Sequence, residues 1–99
     1  MSQVQVVATI PVRPDRRSEA LEVLGTLVEA TRAEEGCLAY DLFESAAAPD
    51  VFVMVERYAD QAALDAHMSS EHLAAAFAAA QDLLAGEVAI HPLVPVVAA

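Results

Sequence analysis

Residues 51–55, Val-Phe-Val-Met-Val, form an unbroken apolar run rich in strand-forming residues, preceded by Pro49-Asp50. Such a run reads as a strand. Side chains alternate across a strand, so this one is apolar on both faces. It continues through Glu56-Arg57-Tyr58, placing Phe52, Met54, Glu56 and Tyr58 on one face and Val51, Val53, Val55 and Arg57 on the other. An antiparallel sheet with helices on one side normally keeps its other face polar. A sheet containing this strand therefore needs two covers, and a chain of 99 residues has helices for only one.

The remaining elements fit that frame. Gln3 to Val12 is a β-branched first strand, with Pro11 near its end because proline cannot donate to a ladder. Arg13-Pro14-Asp15 is a turn, with Asp15 expected to cap the helix that follows. From Arg16 to about Glu34, Leu21, Leu24, Leu27, Val28 and Thr31 fall on one helical stripe. Gly36 suits the left-handed position just past a helix end, while Glu34-Glu35 oppose the helix dipole. Cys37 to Ser45 is the second strand, with Leu38, Tyr40, Leu42 and Glu44 expected on one face.

A loop over 46–50 leads into the apolar strand, and Asp60 caps a second helix bearing Ala63, Leu64, His67 and Met68 on one side. Ser69-Ser70 interrupts that helix, and either serine is able to cap a continuation through Leu73, Phe77, Gln81 and Leu84 to Gly86. Glu87 to Val97 is the last strand, which Pro92 and Pro95 push to an edge. The order β-α-β-β-α-β predicts a single α+β domain over residues 1–99, with a ferredoxin-like antiparallel sheet and both helices on one face. The doubly apolar strand predicts a homodimer joined through the open sheet faces.

The formal charge is −10, from 15 acidic and five basic residues. That balance argues against nucleic acid, whose binding rests on Lys and Arg neutralising phosphates, and against anionic membrane surfaces. A lone cysteine, Cys37, rules out an intrachain disulfide or a cysteine zinc cluster. The first residues lack the pattern of a signal peptide, and no apolar run reaches the roughly 18 residues that span a bilayer. A cytoplasmic location is expected.

Two segments, EEGCLAYDLFES (Glu34 to Ser45) and FVMVERYADQAALDAHMSSEH (Phe52 to His72), resemble the antibiotic biosynthesis monooxygenase family. The resemblance extends over nearly the whole chain and implies a dimeric α+β barrel with a ligand cavity between helices and sheet. Its members include cofactor-independent monooxygenases of quinols and aromatic polyketides, haem-degrading enzymes and a processor of a phosphorylated autoinducer. The haem-degrading branch uses an Asn on the first strand, a Trp on the second helix and a His at the position aligned with Phe77. This chain has none of the three. The Trp that many members carry after the family's Glu-x is Tyr58 here, which keeps an aromatic wall but changes its shape.

His67, on the helical side expected to face the sheet, is the first candidate for proton transfer near neutral pH. Glu56 is the expected partner of its ring, since a carboxylate among apolar side chains needs one; Arg57 or Arg32 are the alternatives. Tyr58 completes the catalytic set. Phe52, Met54, Tyr40, Met68 and Phe77 are expected to line the substrate site, with His72 at its mouth. In the relatives' cofactor-free chemistry the protein deprotonates a phenol or quinol, and the anion then reduces oxygen directly. No cofactor is expected on that reading. No metal is expected either, because residues five apart on a helix are rotated by about 140°, against the i, i+4 spacing that aligns two histidines. An isomerase of the autoinducer type and a non-catalytic small-molecule-binding protein are the rival readings.

Overall fold

A computed structural model describes residues 2–97; Met1, Ala98 and Ala99 lie outside the described part. Four strands, β1 (Val4–Pro11), β2 (Cys37–Glu44), β3 (Val51–Tyr58) and β4 (Ala89–Leu93), form one antiparallel sheet in the order β2-β3-β1-β4. Three helices, α1 (Arg17–Arg32), α2 (Gln61–Met68) and α3 (Glu71–Ala80), complete the chain. This is the ferredoxin-like α+β arrangement that the sequence predicts, with the interrupted second helix divided into α2 and α3.

The central pair β1–β3 sets the core. Their register places Val6 against Glu56, Ala8 against Met54 and Ile10 against Phe52. All six residues are buried, with Val12 and Tyr58 at the two ends. Leu24 and Leu27 of α1 and Leu73 of α3 pack into the same core. Each fully buried side chain of this size contributes roughly 1.5–3 kcal/mol. The opposite sheet face leaves Phe43, Val55 and Leu93 more than two-fifths exposed.

Several local expectations change. Asp15 does not cap α1: it lies in a short 3-10 turn, Pro14–Arg16, and pairs with Arg13 at 2.9 Å. Leu38 leaves the buried face because a bulge between Cys37 and Ala39 shifts the register, so Cys37 turns inward instead. The helix expected to reach Gly86 stops at Ala80. Beyond it, Leu83 O accepts from Arg13 N at 2.9 Å and Leu84 bridges Val12, so the end of β1 captures this backbone. The last strand is shorter than expected, at five residues, but lies on the edge as its prolines require. At the β2–β3 turn, Arg17 of α1 binds Glu44 at 2.6 Å and Asp50 at 2.8 Å, tying the helix start to the hairpin.

Gly36 has no positive φ, so left-handed backbone is not why glycine stands there. A Cβ at this position would lie 2.4 Å from the Ala63 Cβ of α2, while the Gly36 carbonyl accepts from Ala59 N at 2.9 Å. The turn after α1 thus lies directly against α2. Gly36→Ala is expected to lower stability by about 1–3 kcal/mol, the range for forced overpacking. Urea denaturation measures it, and an unchanged midpoint would show that the approach is looser than the coordinates place it.

Candidate functional site

Between the helices and the buried face of the sheet lies a cavity of roughly 570 Å³, its open mouth included. Met54 and Ile90 form its sheet side, Leu27 comes from α1, Leu73 and Phe77 from α3, and Met68 from the end of α2. Three polar side chains break this apolar wall: Tyr40, Glu56 and His67.

His67 is placed by two caps. Asp60 accepts from Ala63 N at 2.9 Å and starts α2. Ser70 accepts from Leu73 N at 3.3 Å to start α3, and its hydroxyl donates to His67 O at 2.7 Å. The ring is 2% exposed and lies between Tyr40 and Tyr58, with ring centres at 5.3 and 5.4 Å.

The expected pairing of His67 with Glu56 is not what forms. His67 Nδ1 bonds Glu34 Oε2 at 2.8 Å, whereas Glu56 Oε1 accepts from the Tyr58 hydroxyl at 2.6 Å. Glu34 was assigned only a helix-end charge on sequence grounds. It stands just past α1, where Glu34 N donates to Thr31 O at 2.9 Å and the Gly36–Ala63 approach brings α2 beside it. A pairing across 33 residues leaves no trace in local spacing. Of the alternatives for Glu56, Arg32 instead binds Tyr40 O and Asp41.

His72 also reaches Glu34 Oε2, at 2.5 Å. It does not line the main cavity but faces a shallower groove beside α1. The helical-wheel argument that separates the two histidines fails because α2 ends at Met68 and α3 begins at Glu71. The break swings His72 round, and the donor atoms of Glu34, His67 and His72 lie within 4.8 Å of one another.

Other candidate residues divide. Tyr40, Met54, Met68 and Phe77 line the cavity as expected. Phe52 does not: it is buried beneath the Arg17 guanidinium, 5.1 Å from its ring centre. Tyr58 is fully buried behind Glu56 and supports it rather than meeting the cavity.

The electrostatics follow from burial. Desolvation raises the Glu56 carboxyl above its ordinary range, and the Tyr58 hydroxyl and nearby His67 pull partly the other way. Burial, with Glu56 adding to it, also raises the Tyr40 and Tyr58 hydroxyls, which stay protonated at neutral pH. A carboxylate can only accept, so an ionised Glu34 holds the His67 proton on Nδ1 and leaves the Nε2 lone pair free. Among the described residues His67 Nε2 and Glu56 Oε2 have no hydrogen-bond partner, and the Tyr40 hydroxyl has Thr31 beside it. The one side-chain polar atom among them both sealed and unpartnered is Thr31 Oγ1, so His67 Nε2 and Glu56 Oε2 are reached from the cavity, which Tyr40 also lines. A base, a carboxyl and a phenol converge on a space that is otherwise apolar.

The family model described as antibiotic biosynthesis monooxygenase matches residues 3–79. Rv0793 of Mycobacterium tuberculosis is 42% identical over 94 residues, covering 95% of this chain and 92% of its own. YcnE of Bacillus subtilis is 40% identical over 77 residues, or 78% of this chain and 81% of its own. Both carry names that assign them provisionally to the monooxygenases. The solved structure of Rv0793 superposes with a TM-score of 0.89 at 41% identity, covering 99% of each chain.

The raised Glu56 sets a pH dependence. The folded state binds its proton more tightly than the unfolded chain, so its stabilising contribution is full below the ordinary value of 4.5 and is lost as pH rises through the raised value. Glu56→Gln removes that loss. Urea midpoints are therefore expected to favour the variant increasingly as pH rises above 4.5; a pH-independent difference would show Glu56 to be solvated.

Proposed function

The chain belongs to the antibiotic biosynthesis monooxygenase family, and from that membership we propose that it is a cofactor-independent monooxygenase of a quinol or anthrone-type polycyclic phenol. The observation that carries this reading is His67, with Nδ1 anchored on Glu34 and Nε2 presented to an apolar cavity. A general base fixed in one tautomer by a carboxylate is suited to proton abstraction. Here Nε2 takes a proton from the substrate, and Glu34 stabilises the imidazolium that forms. The substrate anion passes one electron to oxygen, and the resulting radical pair joins as a peroxide at the ring carbon. The imidazolium returns its proton to the peroxide, and Nε2 then removes the hydrogen on the oxygen-bearing ring carbon as the O–O bond breaks, so the outer oxygen leaves as hydroxide, takes that proton to become water, and the inner oxygen becomes a carbonyl. The Tyr40 hydroxyl and the raised Glu56 carboxyl are placed to hydrogen-bond the substrate's oxygens, while Leu27, Met54, Leu73 and Phe77 keep water from the anion.

An isomerase acting on a phosphorylated substrate is less well supported, because among the described residues no Lys or Arg lines the cavity. In the oxygenase reading, metal-free protein takes up oxygen on addition of an anthrone or quinol. His67→Ala is expected to lower that rate by about 10²–10⁴-fold, the usual contribution of a positioned base, with folding monitored by circular dichroism. Near-wild-type uptake by the variant would remove His67 from the mechanism. Tight binding of the same compounds without uptake would mark a binding protein.

The proposed enzyme is a homodimer. Phe43, Val55 and Leu93 on the helix-free face are 55%, 41% and 43% exposed, and a second copy is the simplest cover for a strand apolar on both sides. Sedimentation equilibrium is expected to give about 21 kDa, twice the 10.4 kDa chain mass, and Phe43→Asp with Val55→Lys to halve it. A wild-type mass near 10 kDa at micromolar concentration would overturn the dimer.

A further inference from the structure

Glu34 Oε2 is shared by two imidazole nitrogens, His67 Nδ1 at 2.8 Å and His72 Nε2 at 2.5 Å. The three residues come from three separate places in the fold: the turn after α1, the last turn of α2 and the first turn of α3. Each is fixed independently. Glu34 is held by the Gly36–Ala63 approach, His67 by burial between two tyrosines, and His72 by the Ser70 cap that turns the chain. Their side chains are 16%, 2% and 29% exposed, so the cluster is shielded on the His67 side and open on the His72 side. That opening faces the groove beside α1, which adjoins the main cavity along Val23, Leu27 and Ala76.

Two imidazoles and one carboxylate are the donors that first-row transition metals select, whereas calcium and magnesium prefer all-oxygen sets. Two ligands each about 2.1 Å from a tetrahedral ion stand about 3.4 Å apart. The present N–O separations reach that value through side-chain shifts of less than about 1 Å. With only three protein ligands, a fourth position stays open to water on the groove side, the pattern of a site that is not purely structural.

We propose that Glu34, His67 and His72 form a binding site for one divalent transition-metal ion of the zinc class, entered from the α1 groove. The site shares Glu34 and His67 with the oxygenase reading, but its test is independent of it, since occupancy is measured without turnover. It bears on that reading in one respect: an ion on Nδ1 makes His67 Nε2 an N–H donor, so the ring cannot be a base while the metal is bound.

The test is titration of chelator-treated full-length protein with Zn²⁺ by calorimetry, and with Co²⁺ followed by visible d–d absorption. One equivalent is expected to bind, with tetrahedral cobalt bands. His72→Ala and Glu34→Gln are each expected to weaken binding by at least about tenfold, since even indirect supports of a metal ligand cost that much. His72 is partly exposed, so its variant keeps the test decisive if Glu34→Gln fails to fold. His91→Ala, on the exposed edge strand, is expected to bind as wild type does. No saturable binding, binding unchanged in His72→Ala, or binding lost in His91→Ala would each overturn the site.

Discussion

The molecule depends on one face of the β1–β3 pair. Val6, Ala8, Ile10 and Val12 meet Phe52, Met54, Glu56 and Tyr58 across it, and every helix packs onto that surface. Seven of the eight side chains are apolar, and the eighth is a carboxyl. Burying Glu56 in that row costs free energy that an alanine or valine there would not. The cost is offset in part by the Tyr58 hydroxyl two residues along on the same face. The period-2 alternation that buries the row thus delivers both the carboxyl and the group that satisfies it.

The site's second carboxylate arrives by a different route. Glu34 belongs to no regular element, and its position is the sum of three constraints: where α1 ends, how closely Gly36 approaches Ala63, and where Asp60 starts α2. The first and last are local and the second is a tertiary contact, and together they bring Glu34 to His67 and His72 across 33 and 38 residues. With Glu56 turned toward Tyr58 and Glu34 toward the histidines, the two acids do separate work. Glu56 lines the cavity beside His67, and Glu34 holds the His67 ring from behind.

The valine-rich strand β3 divides its two faces in the same way. The cavity-facing half of β3 is committed to Met54 and Glu56, while its other half, Val51, Val53 and Val55, faces away from the helices. Membership of the monooxygenase family accounts for the sheet, the helix order and the cavity. The walls are this chain's own, with Tyr40, Met68 and Phe77 among the residues that line the cavity.

Alternation in β1 and β3, the 3.6-residue stripe of α1 and the caps at Asp60 and Ser70 were legible in the sequence, because each is set by neighbours within a few residues. They were enough to give the βαββαβ order, the buried face bearing Glu56 and the inward direction of His67. The bulge at Leu38 and the capture of Leu83 and Leu84 by the end of β1 were not legible, since both follow from backbone pairing with distant strands. The same holds at the site. Spacing alone set His67 and His72 on different sides of one helix, and it paired His67 with the nearest buried acid. Tertiary structure reversed both readings, because a helix broken at Ser69-Ser70 turns its second half, and because a side chain bonds the partner that packing brings within reach, whatever its distance along the chain.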